Sequence, residues 1–193
     1  MRFALALAAM LAASAAGAAG VVFPEGKACV AWKVRKTMFL FRTIEPVGMN
    51  CAVRAVVVND GGLRRLRVSV PIAAFDSGAP RRDKEVLQIL KADIQPEIEF
   101  LSRSYMPGEW ESLRGEGGKT IEGELRIGRT RYPIAAPFAI VGEGPDAAAA
   151  GLILTSFSAF SITPPTVGGG LVAQVADYLE FHYRVPLSDV LPR

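Results

Sequence analysis

The sequence contains one histidine, His182, in 193 residues, and this scarcity limits the chemistry that the chain can support. General acid–base and nucleophilic catalysis usually recruit histidine. His182 falls on the same face of a predicted strand as Glu180 and Arg184, opposite an aromatic face, so we expect it at the surface. The sequence therefore predicts a protein that is not an enzyme.

Cysteine is almost as rare, with only Cys29 and Cys51 present. Two sulfurs without CxxC spacing and one distant histidine do not complete a tetrahedral metal site, so no metal is expected. The two cysteines lie in consecutive strand-like segments that could be antiparallel neighbours. In an exported protein we expect them to form a disulfide, and the alternative is two small buried side chains.

Clustered charge of one sign is also lacking. The 22 Lys and Arg against 19 Asp and Glu give a net charge of only +3, and Arg64, Arg65 and Arg67 are interspersed with apolar residues. Nucleic-acid binding needs a concentrated basic surface. These arginines are interpreted as a solvated strand face, with weak attraction to anionic lipid as the alternative.

The first 20 residues differ from the rest of the chain. They carry one charge near the start, Arg2, then an apolar run and small residues up to Ala18. This pattern predicts a cleavable secretory signal over residues 1–20, with cleavage after Ala18 or Ala15, and one domain over residues 21–193. A membrane anchor is the alternative, but alanine inserts poorly and the run is shorter than the roughly 20 residues that a span needs. No stable span is therefore expected after removal of the signal.

Residues 66–102 show the clearest pattern of secondary structure. Residues 66–70 alternate apolar and polar side chains, which predicts a half-buried strand. Asp83 is then predicted to be the N-cap of an amphipathic helix that Pro96 ends. A second half-buried strand follows at residues 97–100.

About eight or nine strands and one clear helix are expected in total. A turn is predicted at residues 46–50, and a flexible connection is predicted at residues 142–150. The remaining strand-like segments are residues 29–34, 37–43 with Phe39 and Phe41 on one side, 51–58, 121–127, 132–140, 152–160 and 179–185.

Three blocks of this pattern, in order along the chain, resemble the signature of the YceI-like family of periplasmic lipid-binding barrels. The first block is Arg82, Asp83, Leu87, Pro96, Ile98, Phe100 and Ser102. The second is Gly123, Leu125, Ile127, Gly128, Thr130, Arg131 and Pro133. The third is Phe160, Ile162, Val175, Asp177 and Leu179, in which Ser161 stands where the family pattern has a glycine.

The resemblance implies an all-β fold. It predicts an antiparallel up-and-down β-barrel of about eight strands, similar in design to a lipocalin, with one short helix after the strand that ends near Ile72. It also implies a periplasmic location and a polyisoprenoid or quinone-like ligand. Within residues 107–118, Trp110 and Leu113 are expected to cover one end of the barrel.

A closed sheet of eight strands is either filled by its own side chains or holds one slender ligand. The resemblance favours a cavity, and a filled core is the alternative. Arg82 and Asp83 are candidate contacts for a polar headgroup at its mouth. The predicted cavity-lining residues are the inward apolar ones: Val68, Val70, Phe100, Leu125, Ile127, Ile134, Phe138, Ile140, Leu179 and Phe181.

Two functions therefore follow from the sequence. The first is a periplasmic carrier that holds an amphipathic lipid, such as an isoprenoid, a quinone precursor or a fatty-acid derivative. The second is a ligand-free barrel that serves as a structural or interaction module. No cofactor is expected apart from a bound isoprenoid-like lipid, no nucleic-acid partner is expected, and a homodimer is left open.

Overall fold

The computed structural model describes residues 21–38, 42–115, 117–167 and 172–190. The predicted signal segment, Phe39 and Phe41 lie outside these residues. Within them the chain forms one sheet and three helices, α1 Pro80–Ile89, α2 Pro107–Ser112 and α3 Leu187–Val190. The strands are β1 Cys29–Met38, β2 Thr43–Ile44, β3 Val47–Asn50, β4 Arg54–Asp60, β5 Leu63–Pro71, β6 Glu97–Ser102, β7 Lys119–Ile127, β8 Thr130–Val141, β9 Ala148–Thr155, β10 Thr166–Val167 and β11 Ala173–Pro186.

The sheet is an antiparallel up-and-down meander. Strands β4 to β9 pair in sequence order, β9 pairs with β11, and β11 pairs with β1. The other edge of β1 pairs with β2 and β3. A three-residue segment then connects the end of β3 to the start of β4. The ladder is thus not strictly closed by hydrogen bonds, but the chain from β3 to β4 connects its two edges. The predicted all-β barrel, with a helix after the strand ending near Ile72, is confirmed.

The first strands differ from the prediction. Strand β1 runs without a break from the first predicted strand, residues 29–34, into the start of the second, residues 37–43, and residues 39–41 lie outside the described part of the chain. It contains a register shift between Val34 and Lys36. The predicted turn at residues 46–50 is wrong, because strand β3 lies there. Gly48 is opposite Trp32, and a Cβ on it would come within 2.3 Å of the indole ring. This glycine therefore provides clearance for a large ring and does not break the strand.

The disulfide between Cys29 and Cys51 is confirmed. Val30 is paired with Asn50 in the β1–β3 ladder, so the two cysteines lie one step beyond the last pair. Their Cα atoms are 4.1 Å apart. The bond joins β1 to the segment between β3 and β4, where the two edges of the sheet meet.

The N-cap prediction for Asp83 is wrong. Ala79 is the residue that precedes α1, and it makes no side-chain capping bond. Instead, the Asp83 carboxylate accepts hydrogen bonds from the backbone N–H of Ser77 at 3.0 Å and from its hydroxyl at 2.5 Å. Hydrogen bonds to a carboxylate are stronger than those between neutral groups. These two bonds therefore hold the loop at Ser77 against the first turns of α1.

Two other segments are more ordered than expected. The alanines predicted to be flexible begin strand β9, where Ala148 is fully buried against neighbouring strands. The predicted loop after Pro107 contains helix α2, whose Trp110 is 5% exposed and packs edge-on against Tyr105. Among the described residues, no helix is long and apolar enough to cross a membrane.

Candidate functional site

A cavity of about 320 Å³ occupies the interior of the barrel. Most members of three buried clusters line this cavity; Ala55 and Tyr105 belong to the clusters but not to the lining. One cluster contains Trp32, Val34, Phe157, Phe160, Val175 and Leu179. The second contains Ala55, Val68, Val70 and Val185. The third contains Tyr105, Trp110, Ile121 and Ala136.

The structure places all ten predicted cavity-lining residues on this wall. They are contributed by β5, β6, β7, β8 and β11, and their side chains alternate with outward polar residues such as Glu124. The ten are Val68, Val70, Phe100, Leu125, Ile127, Ile134, Phe138, Ile140, Leu179 and Phe181. Their period-2 alternation was the signal that brought them together in the prediction.

The helices cover the two ends of the cavity. Val86 of α1 packs against the cluster of Trp32 and Phe160 at one end. At the other end, Trp110 of α2 is itself part of the cluster with Tyr105. The sequence-based expectation that this segment covers a barrel end identified the right residues, although not their helical conformation.

Sequence reasoning missed several wall residues. Trp32, Val34 and Lys36 of β1 line the cavity, as do Ile89 at the end of α1 and Leu90 directly after it. The alternation of β1 was visible, but the prediction broke this strand in two. The helical positions were visible as an apolar face, yet nothing in the chain alone shows which structure that face covers.

Four charged side chains reach the cavity wall. Lys36, Arg82 and Glu85 belong to β1 and α1, and Arg114 follows α2. Arg82 Nη1 donates to the carbonyl oxygen of Ser77 at 3.3 Å. Of the two candidate headgroup contacts, Arg82 lies on the cavity wall and Asp83 does not. The carboxylate of Asp83 accepts the hydrogen bonds of Ser77 instead.

Two local features shape the segment that contains the third family block, a pair of hydrogen bonds and a left-handed residue. Asp177 accepts hydrogen bonds from the hydroxyl and the backbone N–H of Ser158, and these bonds hold the pKa of its carboxyl below the usual range. Ser161 has a left-handed backbone with φ of 56°. Glycine would adopt this conformation at a lower cost than serine does.

A second group of polar residues lies on the outer face of β1 and β11, away from the cavity. His182 lies on this outer face, as expected, but its side chain is only 13% exposed and its Nε2 is 2.6 Å from a carboxylate oxygen of Glu180. Glu180 also accepts a hydrogen bond from Tyr178 and lies 3.5 Å from Lys33. Lys33 in turn binds Glu45 at 2.9 Å.

The charge state of this outer network follows from its contacts. Burial alone would raise the pKa of Glu180, but the hydrogen bonds of Tyr178 and His182 and the charge of Lys33 outweigh it and lower the pKa. The hydrogen bond to Glu45 raises the pKa of Lys33. The network is thus an arrangement of paired charges that ties β1 to β11.

The described part of the cavity wall offers few groups for catalysis. Its wall, as far as the chain is described, contains no histidine, and the hydroxyl of Tyr183 donates to the Pro137 carbonyl oxygen. Burial raises the pKa of Tyr183, which keeps its hydroxyl protonated. Among the described residues, no three His, Cys, Asp or Glu side chains are placed to hold a metal ion.

An up-and-down barrel with an apolar interior and helices over its ends defines the class of lipocalin-like barrels. No family model and no curated protein matches the chain. Solved structures do match. BcnA of Burkholderia cenocepacia has a TM-score of 0.60 at 18% identity, over 81% of this chain and 94% of that one.

Two further structures identify the particular fold. A YceI protein of Campylobacter jejuni has a TM-score of 0.51 at 19% identity, over 69% of this chain and 78% of that one. A polyisoprenoid-binding domain from Saccharophagus degradans has a TM-score of 0.57 at 5% identity, over 84% of this chain and 97% of that one. The fold is therefore that of YceI proteins, and the resemblance inferred from the sequence is confirmed at that level.

Proposed function

We propose that this protein is a periplasmic carrier that binds the hydrocarbon tail of an amphipathic lipid inside its barrel. The lipid is an isoprenoid, a quinone precursor or a fatty-acid derivative. The observation that carries this proposal is the cavity of about 320 Å³, whose wall is apolar apart from four charged side chains near its ends. Small-molecule sites typically have volumes of about 300–1,000 Å³.

The energetics fit a tail better than a polar molecule. Each buried methylene group contributes about 0.8 kcal/mol, so ten of them contribute about 8 kcal/mol. That gain offsets the lower part of the roughly 4–15 kcal/mol that association costs in lost freedom of motion. A polar ligand would lose its hydration in the middle of this cavity without finding partners.

Two other observations support the proposal. One structure with the same fold is a polyisoprenoid-binding domain. The disulfide between Cys29 and Cys51 suits an oxidising compartment, which agrees with the predicted export signal.

A fluorescence titration tests the proposal. The probe is the methyl ester of cis-parinaric acid, an uncharged acyl chain whose emission rises in an apolar environment. We expect saturable binding of one probe per barrel and displacement by unlabelled geranylgeraniol. Leu125→Glu, which places a charge on the cavity wall, should abolish binding, whereas Glu124→Gln on the outer face should preserve it. Absence of saturable binding to the wild type would favour the filled, ligand-free barrel.

A further inference from the structure

We infer that the bound lipid has an anionic headgroup, which Lys36 and Arg82 hold at the α1 end of the cavity while the tail extends towards Trp110. This inference rests on the proposed function, since it assigns the charge and the direction of the lipid within the same cavity. Lys36 belongs to strand β1 and Arg82 to helix α1.

The contacts of neighbouring residues place both cations at one end of the barrel. Lys36 is directly paired with Val175 of β11, and both side chains line the cavity. Val175 belongs to the buried cluster against which Val86 of α1 packs. Arg82 lies one helical turn before Val86, on the same face of α1 and on the same wall.

The charges at this end are not balanced by the described residues. Within them Lys36 has no carboxylate within 4 Å, and Arg82 donates only to the neutral carbonyl of Ser77. Glu85 is the single carboxylate on the described wall, and it is paired with Arg81 at 3.5 Å. An anion between the two cations would supply the charge-assisted hydrogen bonds that neither of them makes with a carboxylate in the described part of the chain.

The opposite end has a different charge balance, which gives the lipid its direction. Arg114 is the cation there, and its guanidinium is 3.0 Å from the carboxylate of Glu111. Glu111 also pairs with Arg64. The cation near Trp110 thus already has a carboxylate partner, which neither Lys36 nor Arg82 has among the described residues. The headgroup is therefore assigned to the α1 end and the apolar tail to the Trp110 end.

A matched pair of probes tests the inference. cis-Parinaric acid, ionised at mildly alkaline pH, has the same tail as its methyl ester but adds one negative charge. At low ionic strength we expect wild-type protein to bind the acid about 10- to 100-fold more tightly than the ester, as a charge-assisted contact predicts. In the double variant Lys36→Met, Arg82→Met this preference should fall below about threefold, because the acid loses the charged contacts that the uncharged ester never makes.

Two control variants locate the effect. Arg81→Met removes the same charge from the exposed side of α1, and Arg114→Met removes it from the opposite end of the cavity. Both should retain the preference for the acid. Circular dichroism and the melting temperature show for every variant that the barrel is folded.

The possible outcomes separate the two proposals. Equal affinity of wild type for acid and ester, or a preference that survives in the double variant, would overturn the anionic headgroup while leaving the carrier function standing. A preference lost equally in Arg81→Met or Arg114→Met would also overturn it. Inorganic phosphate serves as an anion without a tail, and calorimetric binding of phosphate as tight as that of the acid would assign Lys36 and Arg82 to a free anion. Failure of the wild type to bind either probe would refute the carrier function itself.

Discussion

The indole ring of Trp32 lies against the backbone of Gly48 on the neighbouring strand, so that a Cβ at position 48 would be 2.3 Å from the ring. The ring is 8% exposed and contributes to the cavity wall. This contact determines where β3 can pair with β1, and β3 leads into the segment that connects the two edges of the sheet.

Gly48→Ala should therefore lower the free energy of unfolding by about 1–3 kcal/mol, because the added methyl group must displace a packed ring. Denaturant unfolding measures the effect. Gly118→Ala is the control, since Gly118 lies outside the helices and strands and a Cβ there meets no atom within 4 Å. In a Trp32→Ala background the cost of Gly48→Ala should largely disappear. Equal stability of Gly48→Ala and the wild type would show that the ring is not constrained by this contact.

A substitution at Ser161 should raise the free energy of unfolding. Its φ of 56° is unfavourable for a residue with a Cβ, so Ser161→Gly should raise the free energy of unfolding by up to about 1 kcal/mol. The greater freedom of glycine in the unfolded chain reduces this gain. Ser161→Ala keeps the Cβ and should show no such gain. A glycine variant no more stable than the alanine variant would contradict the assigned backbone conformation.

The disulfide gives a chemical prediction. Cys29 and Cys51 should resist alkylation in the folded protein until a reductant is added. Replacing both with alanine should cost about 3 kcal/mol in the chain-entropy model. Mass spectrometry after iodoacetamide treatment counts the labelled sulfurs. Labelling of both sites without reductant would show that they are free thiols.

The outer network predicts a specific dependence of stability on pH. The pKa of Glu180 is lowered from 4.5, so its contribution is present above that value and is lost as the pH falls through the folded pKa. The pKa of Lys33 is raised from 10.5, so its contribution is present below that value and is lost as the pH rises through the folded pKa. The pair formed by Glu180 and Lys33 should therefore stabilise most between these limits.

Glu180→Gln should lower the free energy of unfolding by about 1–3 kcal/mol near neutral pH and weaken its fall in acid. Chemical denaturation over a series of pH values measures both effects. Glu124→Gln removes an outward carboxylate that is paired with Arg131 at the surface, and it should change the profile little. An acid limb that is unchanged in Glu180→Gln would contradict the role assigned to this residue.

The fold and the cavity wall were largely predictable because a strand with one buried face alternates its side chains. Leu125 and Ile127 show this pattern without knowledge of any partner strand. Gly48 was misread, since a glycine that clears space for Trp32 has the same sequence signal as a glycine in a turn. Only the pairing of β1 with β3 distinguishes the two.

The polar residues were less predictable for a related reason. Asp83 precedes an apolar helical face and so resembles an N-cap, but Ser77 offers it two donors from the preceding loop. His182 follows the outward alternation of β11, but it lies against the buried carboxylate of Glu180 and is therefore largely covered. Lys33 of β1 lies against the same carboxylate. Lys33 is about 150 residues away along the chain, and no local pattern in the sequence indicates such a contact.

The central claim is that the barrel holds a lipid in a hollow interior, and narrowing that interior tests it most directly. Ile127→Trp adds bulk to the cavity wall. Native mass spectrometry of wild type and variant, both purified from the periplasm, measures the lipid bound to each barrel. We predict a co-purifying hydrophobic mass on the wild type and none on the variant, with the melting temperature of the ligand-free protein nearly unchanged. A wild type that never carries a lipid, together with a variant destabilised by the roughly 1–3 kcal/mol of an overpacked core, would contradict the account.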